Sequence, residues 1–404
     1  AQYIGAGYGI ANIRGKGRTV ATNHCWGAAF RGYGAPETEF PSEVLMDELA
    51  EKLGMDPFDI RELNCYREGD TNPAGQVPEV MRQPEMFQKK RPYYEEAKKT
   101  VKAKSTAEVK RGVGIALGVY GAGLDGPDTS EAWAELNPDG SVTVGNSWED
   151  HGQGADSGTL GTAHEALRPL NIKPENIHLV MNDTSKTPNS GPAGGSRSQV
   201  VTGNATRVAC EMLIEGMRKP TGGGFFTYEE MKAEGRPVHY DGKWSAPAKD
   251  CDAKGQGEPF ACYMYGLFLA EVAVEVATGK TTVEKLVCVA DIGTLCNKLV
   301  VDGQIYGGMA QGVGLALTED YEDLKKHSTL AGAGVPTIKM IPDDMEIVYV
   351  QTPRKAGPFG ASGVGEMPLT APHPAIINAI DNACGARVRH LPARPEKVLA
   401  AMPK

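Results

Sequence analysis

One loop with almost no side chains, residues 358–368, restricts most strongly how this chain can fold. Its sequence, PFGASGVGEMP, holds three glycines and one carboxylate, Glu366, between two prolines. Glycine lets the backbone adopt conformations closed to other residues and lets a ligand approach closely. An acidic residue that leaves such a loop among neutral neighbours suits a general base for something bound by backbone amides. A tight turn that ends in a solvated glutamate is the simpler explanation of the loop taken alone.

Composition and charge exclude several function classes. At 404 residues the chain is too long for one small core, so two or three packed units are expected. A net charge of -9 and a pI near 5.5 argue against a nucleic-acid or anionic-membrane surface. Eight cysteines without zinc spacing indicate free thiols in a reducing compartment. The sequence has no apolar run of about 20 residues, and its first residues lack the basic and apolar regions of a signal peptide. We therefore expect no membrane span and a cytoplasmic protein, or a periplasmic one if a partner carries the export signal.

The N-terminal part of the chain predicts helices. Residues 41–53 have Leu45, Leu49 and Leu53 spaced by four, which is typical of the apolar face of an amphipathic helix. Residues 85–104 predict a second, highly charged helix, which we expect to lie on the surface.

A polar segment rich in proline and glycine, residues 67–84, indicates a domain boundary. We place a first domain at 1–78 and a second, of two subdomains, at 79–404. Residues 221–254 predict a loosely structured region. The regular patterns of the second domain are a strand at 112–121, a hairpin at 131–137 and 141–147, helices at 157–170 and 200–217, a hairpin at 267–276 and 281–290, and helices at 302–317 and 374–383.

Strand pairs interspersed with helices indicate the fold class. The order of the patterns predicts an α+β protein of layered mixed or antiparallel sheets, with helices on one face.

Two further glycine-rich loops stand where an anion could bind. Residues 151–158, HGQGADSG, come directly after a strand pattern and before a helical one, where backbone N–H groups and the helix dipole can hold an anion. Residues 191–198, GPAGGSRS, repeat this arrangement, and Arg197 could add a charged fork for a phosphate. Neither loop matches the P-loop or the Rossmann fingerprint. Two ordinary glycine-rich turns remain an equal alternative.

The fourth special stretch is AFRGYGAP at residues 29–36. It places Arg31 between Phe30 and Tyr33, where an arginine can fix an oxyanion and a tyrosine can bound a small pocket. By itself a cation-π packing contact explains this stretch better. The histidines are scattered and no HExxH motif occurs, so we expect no metal ligation by side chains.

Taken together, AFRGYGAPE, WEDHGQGAD, GPAGGSR and PFGASGVGE resemble the molybdenum-binding half of the xanthine oxidase family of molybdenum hydroxylases. The resemblance extends through nearly all of the chain and is strongest to the branch of bacterial aldehyde oxidoreductases of sulfate reducers. It implies that the site lies between two molybdenum-binding parts. It also implies that [2Fe-2S] domains and the rest of the first part lie on another chain, or on another portion of a longer precursor. The expected cofactor is molybdopterin cytosine dinucleotide with molybdenum, with tungsten left open.

The resemblance also implies roles for individual residues. Glu366 matches the catalytic base, and Arg31 matches the segment beneath the molybdenum, so both are expected to be catalytic. Tyr33, Tyr120 and Trp148 are expected to line the substrate pocket, although core packing is nearly as good an explanation for the last two. The residues that match cofactor-binding positions are Ala29, Phe30, Arg31, Gly32, His151, Gly152, Gln153, Gly154, Asp156, Gly194, Gly195, Ser196, Arg197, Ser198, Ser362, Gly363, Val364 and Gly365.

Three positions bear on cofactor contacts and substrate choice. Ala193 and Ser198 stand where similar enzymes usually have serine and glutamine, which puts one or two polar cofactor contacts in doubt. Tyr33 stands where purine hydroxylases resemble each other in having phenylalanine. The resemblance therefore favours oxidation of an aldehyde with water to the carboxylic acid. Hydroxylation of an N-heterocycle of the purine or nicotinate type, and a non-catalytic cofactor-binding partner, stay open, as does a homodimer of the assembly.

Overall fold

The computed structural model describes residues 3–5, 7–23, 29–79 and 81–403. Residues 1, 2, 6 and 24–28 of the predicted first domain, and 80 and 404 of the second, lie outside the described residues. The division at residue 78 stays a prediction. The helices and strands, in chain order, are α1 (Ala35–Leu53), α2 (Pro57–Asn64), α3 (Gln83–Lys104), β1 (Val109–Ala122), β2 (Thr129–Leu136), β3 (Val142–Asn146), α4 (Ala155–Ala166), β4 (Ile177–Met181), α5 (Ser198–Met217), α6 (Tyr228–Ala233), β5 (His239–Ser245), β6 (Cys262–Glu275), β7 (Thr281–Asp291), α7 (Lys298–Leu317), β8 (Asp344–Val350), α8 (Met367–Thr370), α9 (Pro372–Cys384) and α10 (Pro395–Ala401).

The strands form two mixed four-stranded sheets, so the predicted α+β class with layered sheets is confirmed. In the first sheet the order is β1-β6-β7-β8, with antiparallel pairs except for the parallel pair β7 and β8. In the second sheet the order is β4-β3-β2-β5, and only β3 and β4 run parallel. Both predicted hairpins, β2 with β3 and β6 with β7, are present.

Helices cover both faces of the first sheet, so the prediction of helices on one face is wrong there. Ile115 and Leu117 of β1 pack with Phe87 of α3, whereas Ala116, between them, packs with Ile376 of α9. Successive side chains of a strand point to opposite faces, so these two helices lie on opposite sides of the sheet. The predicted surface helix at 85–104 therefore has one buried face.

Glycines in β1 bring α9 close to the sheet. A Cβ atom on Gly112 would lie 2.2 Å from the carbonyl oxygen of Ala379, and one on Gly114 would lie 2.1 Å from that of Ala375. Both are too short for any side chain, so the helix backbone rests directly on the strand. Because α9 follows α8 immediately, this contact also fixes the segment that begins after Glu366.

The buried face of α1 is the reverse of the predicted one. Leu45, Leu49 and Leu53 are 53%, 39% and 64% exposed, whereas Glu39 and Glu43 are fully buried. Glu43 is compensated by Arg61, which is also buried and whose Nε lies 2.7 Å from Glu43 Oε2. Within the described residues Glu39 has no such ion pair, and it accepts from the backbone N–H of Val119 over 2.9 Å. The leucine spacing correctly predicted that these three residues share one face of a helix. It wrongly predicted that this face packs against the core.

The region at 221–254 is also more ordered than predicted. It contains the short helix α6 and strand β5, which pairs with β2 along its whole length. Thr227 and Glu230 form a capping box at the start of α6. A threonine followed three residues later by a glutamate is a pattern that predicts the start of a helix, so the sequence could have indicated α6.

Candidate active site

A cleft of about 290 Å³ lies where four segments meet. They are the loop between β3 and α4, the loop before α5, the loop before α8, and the N-terminal part of α7. The three glycine-rich loops predicted to form one site therefore come together. The predicted residues that line the cleft are Trp148, His151, Gln153, Gly154, Gly194, Ser196, Ser198, Ser362, Gly363, Val364, Gly365 and Glu366.

Glu366 lies at the edge of this cleft, directly before α8. The backbone N–H of Gly32 donates to Oε1 over 3.3 Å, and the Ser196 hydroxyl donates to Oε2 over 3.3 Å. The Tyr120 hydroxyl is a third partner of the carboxyl group. Burial raises the pKa of Glu366, and these hydrogen bonds together with the charge of Arg31 offset only part of that rise. Among the described residues, no cationic side chain forms an ion pair with this carboxylate within 4.0 Å. Such a group is a stronger base than an ordinary glutamate.

Arg31 connects the Glu366 loop to α7. Its Nε donates to the carbonyl oxygen of Gly365, Nη1 donates to Oε1 of Gln311 over 2.9 Å, and Nη2 donates to the carbonyl oxygen of Gln304 over 2.9 Å. Burial lowers the pKa of Arg31 to about 10, so the side chain stays charged near neutrality. Arg31 does not line the cleft, and these contacts make it a brace between two walls. Its catalytic role stays a prediction.

The N–H groups predicted to hold an anion in the first loop are already in use. Asp150 Oδ1 accepts from the N–H of Gly152 over 2.8 Å and from that of Gly154 over 3.2 Å, and Oδ2 accepts from that of Asp156 over 3.4 Å. The chain's own carboxylate thus occupies the N-terminus of α4. These backbone groups are not free for a ligand in this conformation, which corrects that part of the prediction. Gly152 and Asp156 also lie outside the lining of the cleft.

Arg197 cannot offer its guanidinium to a phosphate. The side chain is fully buried, with Nε 2.6 Å from Asp128 Oδ2 and Nη2 2.7 Å from Asp128 Oδ1. Its Nη1 donates to the carbonyl oxygen of Ser190 over 2.9 Å. Arg197 therefore holds the 191–198 loop in shape through a bidentate ion pair. The predicted charged fork is wrong because Asp128 supplies the anion.

The predicted pocket residues divide into three environments. Tyr120 is buried and its ring stacks on Tyr3 at 5.4 Å, so the ring is core and only its hydroxyl reaches Glu366. It does not line the cleft. Trp148 is nearly buried and lines the cleft beside Gly158. Tyr33 is exposed, in a turn whose Gly32 touches Glu366. Ala29 and Phe30 are exposed outside the cleft.

One wall of the cleft was missed in the sequence. The cleft is also lined by Cys296, by Asn297, whose side chain caps α7, and by Val300, Val301 and Gln304 of α7. The sequence did carry a sign of this wall, because Gln304 and Gln311 lie seven residues apart on one face of a largely apolar helix. Both amides contact Arg31.

Seven cysteines lie within the described residues, and all seven are free thiols. None of the helices in the described ranges has the length and apolar character needed to cross a membrane.

Comparison with known proteins identifies the family. Two models described as molybdopterin cofactor-binding domain match residues 1–65 and 88–342. The chain is 63% identical over its full length to an aldehyde oxidoreductase of Megalodesulfovibrio gigas, and it spans 44% of that relative. The crystal structure of the aldehyde oxidoreductase from Desulfovibrio desulfuricans matches all of this chain with a TM-score of 0.98 and 87% identity, again over 44% of that protein.

A more distant structure, quinoline 2-oxidoreductase from Pseudomonas putida, shares the fold with a TM-score of 0.80 at 22% identity over 93% of this chain and 53% of that one. The fold, the meeting of the glycine-rich loops around Glu366 and these matches agree. The chain belongs to the xanthine oxidase family of molybdenum hydroxylases, as a molybdopterin cofactor-binding part.

Proposed function

We propose that this chain is the molybdenum-cofactor-binding catalytic part of an aldehyde oxidoreductase, which oxidises an aldehyde with water to a carboxylic acid. The observation that carries the proposal is Glu366, a carboxylate at the cleft that is held by hydrogen bonds but has no paired cation among the described residues. A structural carboxylate in such surroundings would be expected to have a charged partner. A general base needs the opposite, an oxygen that remains available to take a proton.

The lining of the cleft supports the binding of a molybdenum pterin. Gly363, Val364 and Gly365 line it, and within the described ranges their N–H groups donate to no protein acceptor. Such consecutive free N–H groups suit the polar edge of a heterocycle or an anionic group. Asn297 places the N-terminus of α7, the positive end of its helix dipole, at the same cleft. These residues, with Ser198, are the ones that would hold the cofactor.

In the proposed reaction the molybdenum cofactor supplies the oxidising centre. Glu366 takes the proton from the water-derived oxygen as that oxygen attacks the aldehyde carbon. Gly32 and Ser196 each donate a hydrogen bond to the carboxylate, and the brace of Arg31 keeps the loop at residue 365 against α7. The balance is an aldehyde plus water giving a carboxylic acid, two protons and two electrons.

The electrons require a further acceptor, which we place on [2Fe-2S] centres outside this chain. The chain spans less than half of the aldehyde oxidoreductases that it matches, which supports this assignment. We also propose the cytosine dinucleotide form of the cofactor and a reducing compartment, the latter supported by the free thiols.

The direct test is Glu366→Gln in the assembled enzyme. We expect aldehyde turnover to fall by about 10²–10⁴-fold, the usual contribution of a general base, with molybdenum and nucleotide content unchanged. Glu396→Gln, on the exposed side of α10, serves as the matched control and should keep full activity. Near-normal turnover of Glu366→Gln at full molybdenum content would contradict the assignment of the base.

Substrate choice is tested with steady-state rates on acetaldehyde, benzaldehyde, xanthine and nicotinate. The proposal predicts the highest kcat/KM for one of the aldehydes. A clear preference for xanthine or nicotinate would instead make the chain an N-heterocycle hydroxylase and would refute the inference from Tyr33.

The pH profile supplies a further check. The pKa of Glu366 is raised, so the carboxylate needed as base is lost at a higher pH than an ordinary glutamate would be. The acid limb of kcat/KM should therefore lie above the usual 4.5 of glutamate.

A further inference from the structure

Ser196 makes two hydrogen bonds to one residue 170 positions away. Its hydroxyl oxygen accepts from the backbone N–H of Glu366 over 3.0 Å, and its proton is directed to Oε2 of the same residue over 3.3 Å. The hydroxyl therefore hydrogen-bonds to both the main chain and the side chain of Glu366. No other side chain of the described residues does both.

The backbone at Ser196 is in an unusual conformation. Its φ of 53° lies in the left-handed region, which a residue with a Cβ atom seldom adopts. The neighbouring carbonyl of Gly195 accepts from the N–H of Gly123 over 3.0 Å, which holds the turn. Strained residues of this kind persist where the surroundings over-determine them, and they cluster at functional sites.

Two glycines of the 358–368 loop leave room for Ser196. A Cβ atom on Gly363 would lie 2.1 Å from the carbonyl oxygen of Ser196, and one on Gly365 would lie 3.4 Å from its Oγ. The loop can therefore approach Ser196 only because position 363 has no side chain. This gives Gly363 a role in the contact between the two loops, separate from any contact with a cofactor.

We propose that Ser196 is a positioning residue that holds the Glu366 carboxylate in its working direction, so that the loop before α5 controls the base on the loop before α8. This inference rests on the proposed function. A donated hydrogen bond also favours the ionised carboxylate. Loss of the hydroxyl should therefore raise the pKa of Glu366 further and loosen its orientation.

Ser196→Ala and Ser196→Gly separate the hydroxyl from the backbone. Glycine adopts a φ of 53° without strain, so Ser196→Gly keeps the turn and removes only the side chain. In the assembled enzyme we expect both variants to lower kcat by about 5–10-fold, the effect of losing a hydrogen bond of ordinary strength. KM should change little. The acid limb of the pH profile should move to higher pH by about half a unit or more.

The matched control is Ser190→Ala in the neighbouring segment. The Ser190 hydroxyl donates to the carbonyl oxygen of Glu131 and accepts from the N–H of Ser147, so it makes no bond to Glu366. This variant should lose thermal stability but keep the wild-type pH profile. If Ser196→Gly keeps the wild-type kcat and acid limb, the side chain has no positioning role and the proposal is overturned.

A measurement that does not depend on turnover also tests the role of Ser196. The carbonyl band of protonated Glu366, identified by its loss in Glu366→Gln, can be titrated by infrared difference spectroscopy in the assembled enzyme. The band should titrate at higher pH in Ser196→Gly than in wild type, and an unchanged midpoint would overturn the proposal. A failure of the proposed function gives a different result. Full turnover of Glu366→Gln would show that Glu366 is not the base, whatever the Ser196 variants do.

Discussion

Two carboxylates of this protein, Glu366 and Glu43, are both shielded from water, but they differ in role. Glu43 stabilises the fold, and Glu366 is the proposed base. Glu43 is fully buried, with Arg61 at 2.7 Å and the Tyr8 hydroxyl at 2.6 Å. Glu366 is partly buried, and its hydrogen bonds from Gly32 and Ser196 are each 3.3 Å long. Burial raises the pKa of both carboxyl groups, but Glu43 is enclosed by an ion pair and a phenol, whereas Glu366 lies at an open cleft where a bound reactant can reach it. A buried acid with a raised pKa can act as a general base only where a reactant can reach it.

The same contrast holds for the arginines of the two regions. Asp47 and Glu43 raise the pKa of Arg61 above its ordinary value although burial alone would lower it. At Arg31 burial prevails and lowers the pKa to about 10. Arg61 balances two acids, and Arg31 instead donates to backbone carbonyls and amides. The Glu43 region should therefore govern stability and the Glu366 region activity, which separate variants can test.

The largest stability effect is expected for Arg61→Met. It leaves Glu43 and Asp47 buried without their cation, which typically costs about 3–5 kcal/mol. Urea unfolding would measure the loss. At a temperature where the variant is folded, the pH profile of turnover should match wild type. A shifted acid limb in folded Arg61→Met would break the separation of the two regions.

Lys90 tests what a buried charge without a partner does to stability. It is fully buried, donates to the carbonyl oxygen of Val287, and burial lowers its pKa from 10.5 to about 7. Between these two values the unfolded chain binds more protons, so the contribution of Lys90 to stability rises with pH across that window and is least favourable below about 7.

A lowering of the pKa from 10.5 to about 7 corresponds to about 5 kcal/mol. The hydrogen bond to Val287 that Lys90→Met loses offsets about 1–2 kcal/mol of this, so the variant should stabilise the fold at pH 7 by on the order of 3 kcal/mol. The variant should also lose the rise in stability between pH 7 and 10. Thermal unfolding across that pH range measures both effects, with the exposed Lys99→Met as the control. An unchanged pH dependence would show that Lys90 does not titrate in the fold.

Gly114→Val should affect both stability and turnover. The new side chain would meet the backbone of α9 at Ala375, so the helix must move, at a cost of about 2 kcal/mol. Because α9 continues from α8 and Glu366, we expect turnover to fall as well. Calorimetry combined with kcat measures both losses. A loss of stability with an unchanged kcat would mean that α9 does not position the base.

The smallest effect is expected for Tyr8→Phe, which removes one hydrogen bond to Glu43. We expect a loss of about 1 kcal/mol in unfolding free energy and no change in kcat or its pH profile. This variant is the counterpart of Ser196→Ala, because each deletes one hydroxyl that donates to a buried glutamate. Equal effects of the two variants on turnover would remove the distinction between the regions.

Local patterns were sufficient for most of the fold. Alternating strand residues, turn residues and helical spacing predicted both hairpins and the longer helices to within a few residues. They also marked Glu366 and the glycine loops, because glycine clusters next to an isolated acid are visible without any tertiary contact. The Leu45, Leu49 and Leu53 spacing predicted a helix correctly and its buried face wrongly, since periodicity cannot tell which neighbour, here Arg61, will meet the helix.

The sequence by itself determined the family, the mixed α+β architecture and the glycine-rich loops that meet at the cleft. Tertiary structure alone decided which charges are free. The sequence suggests that Arg197 binds a phosphate, whereas the fold pairs its guanidinium with Asp128, 69 positions away. Ser196 and Glu366 are 170 positions apart, and only packing shows that they are bonded. The physical reason is that a side chain's hydrogen-bonding capacity is local, whereas the partner that uses it is set by how distant segments fold together.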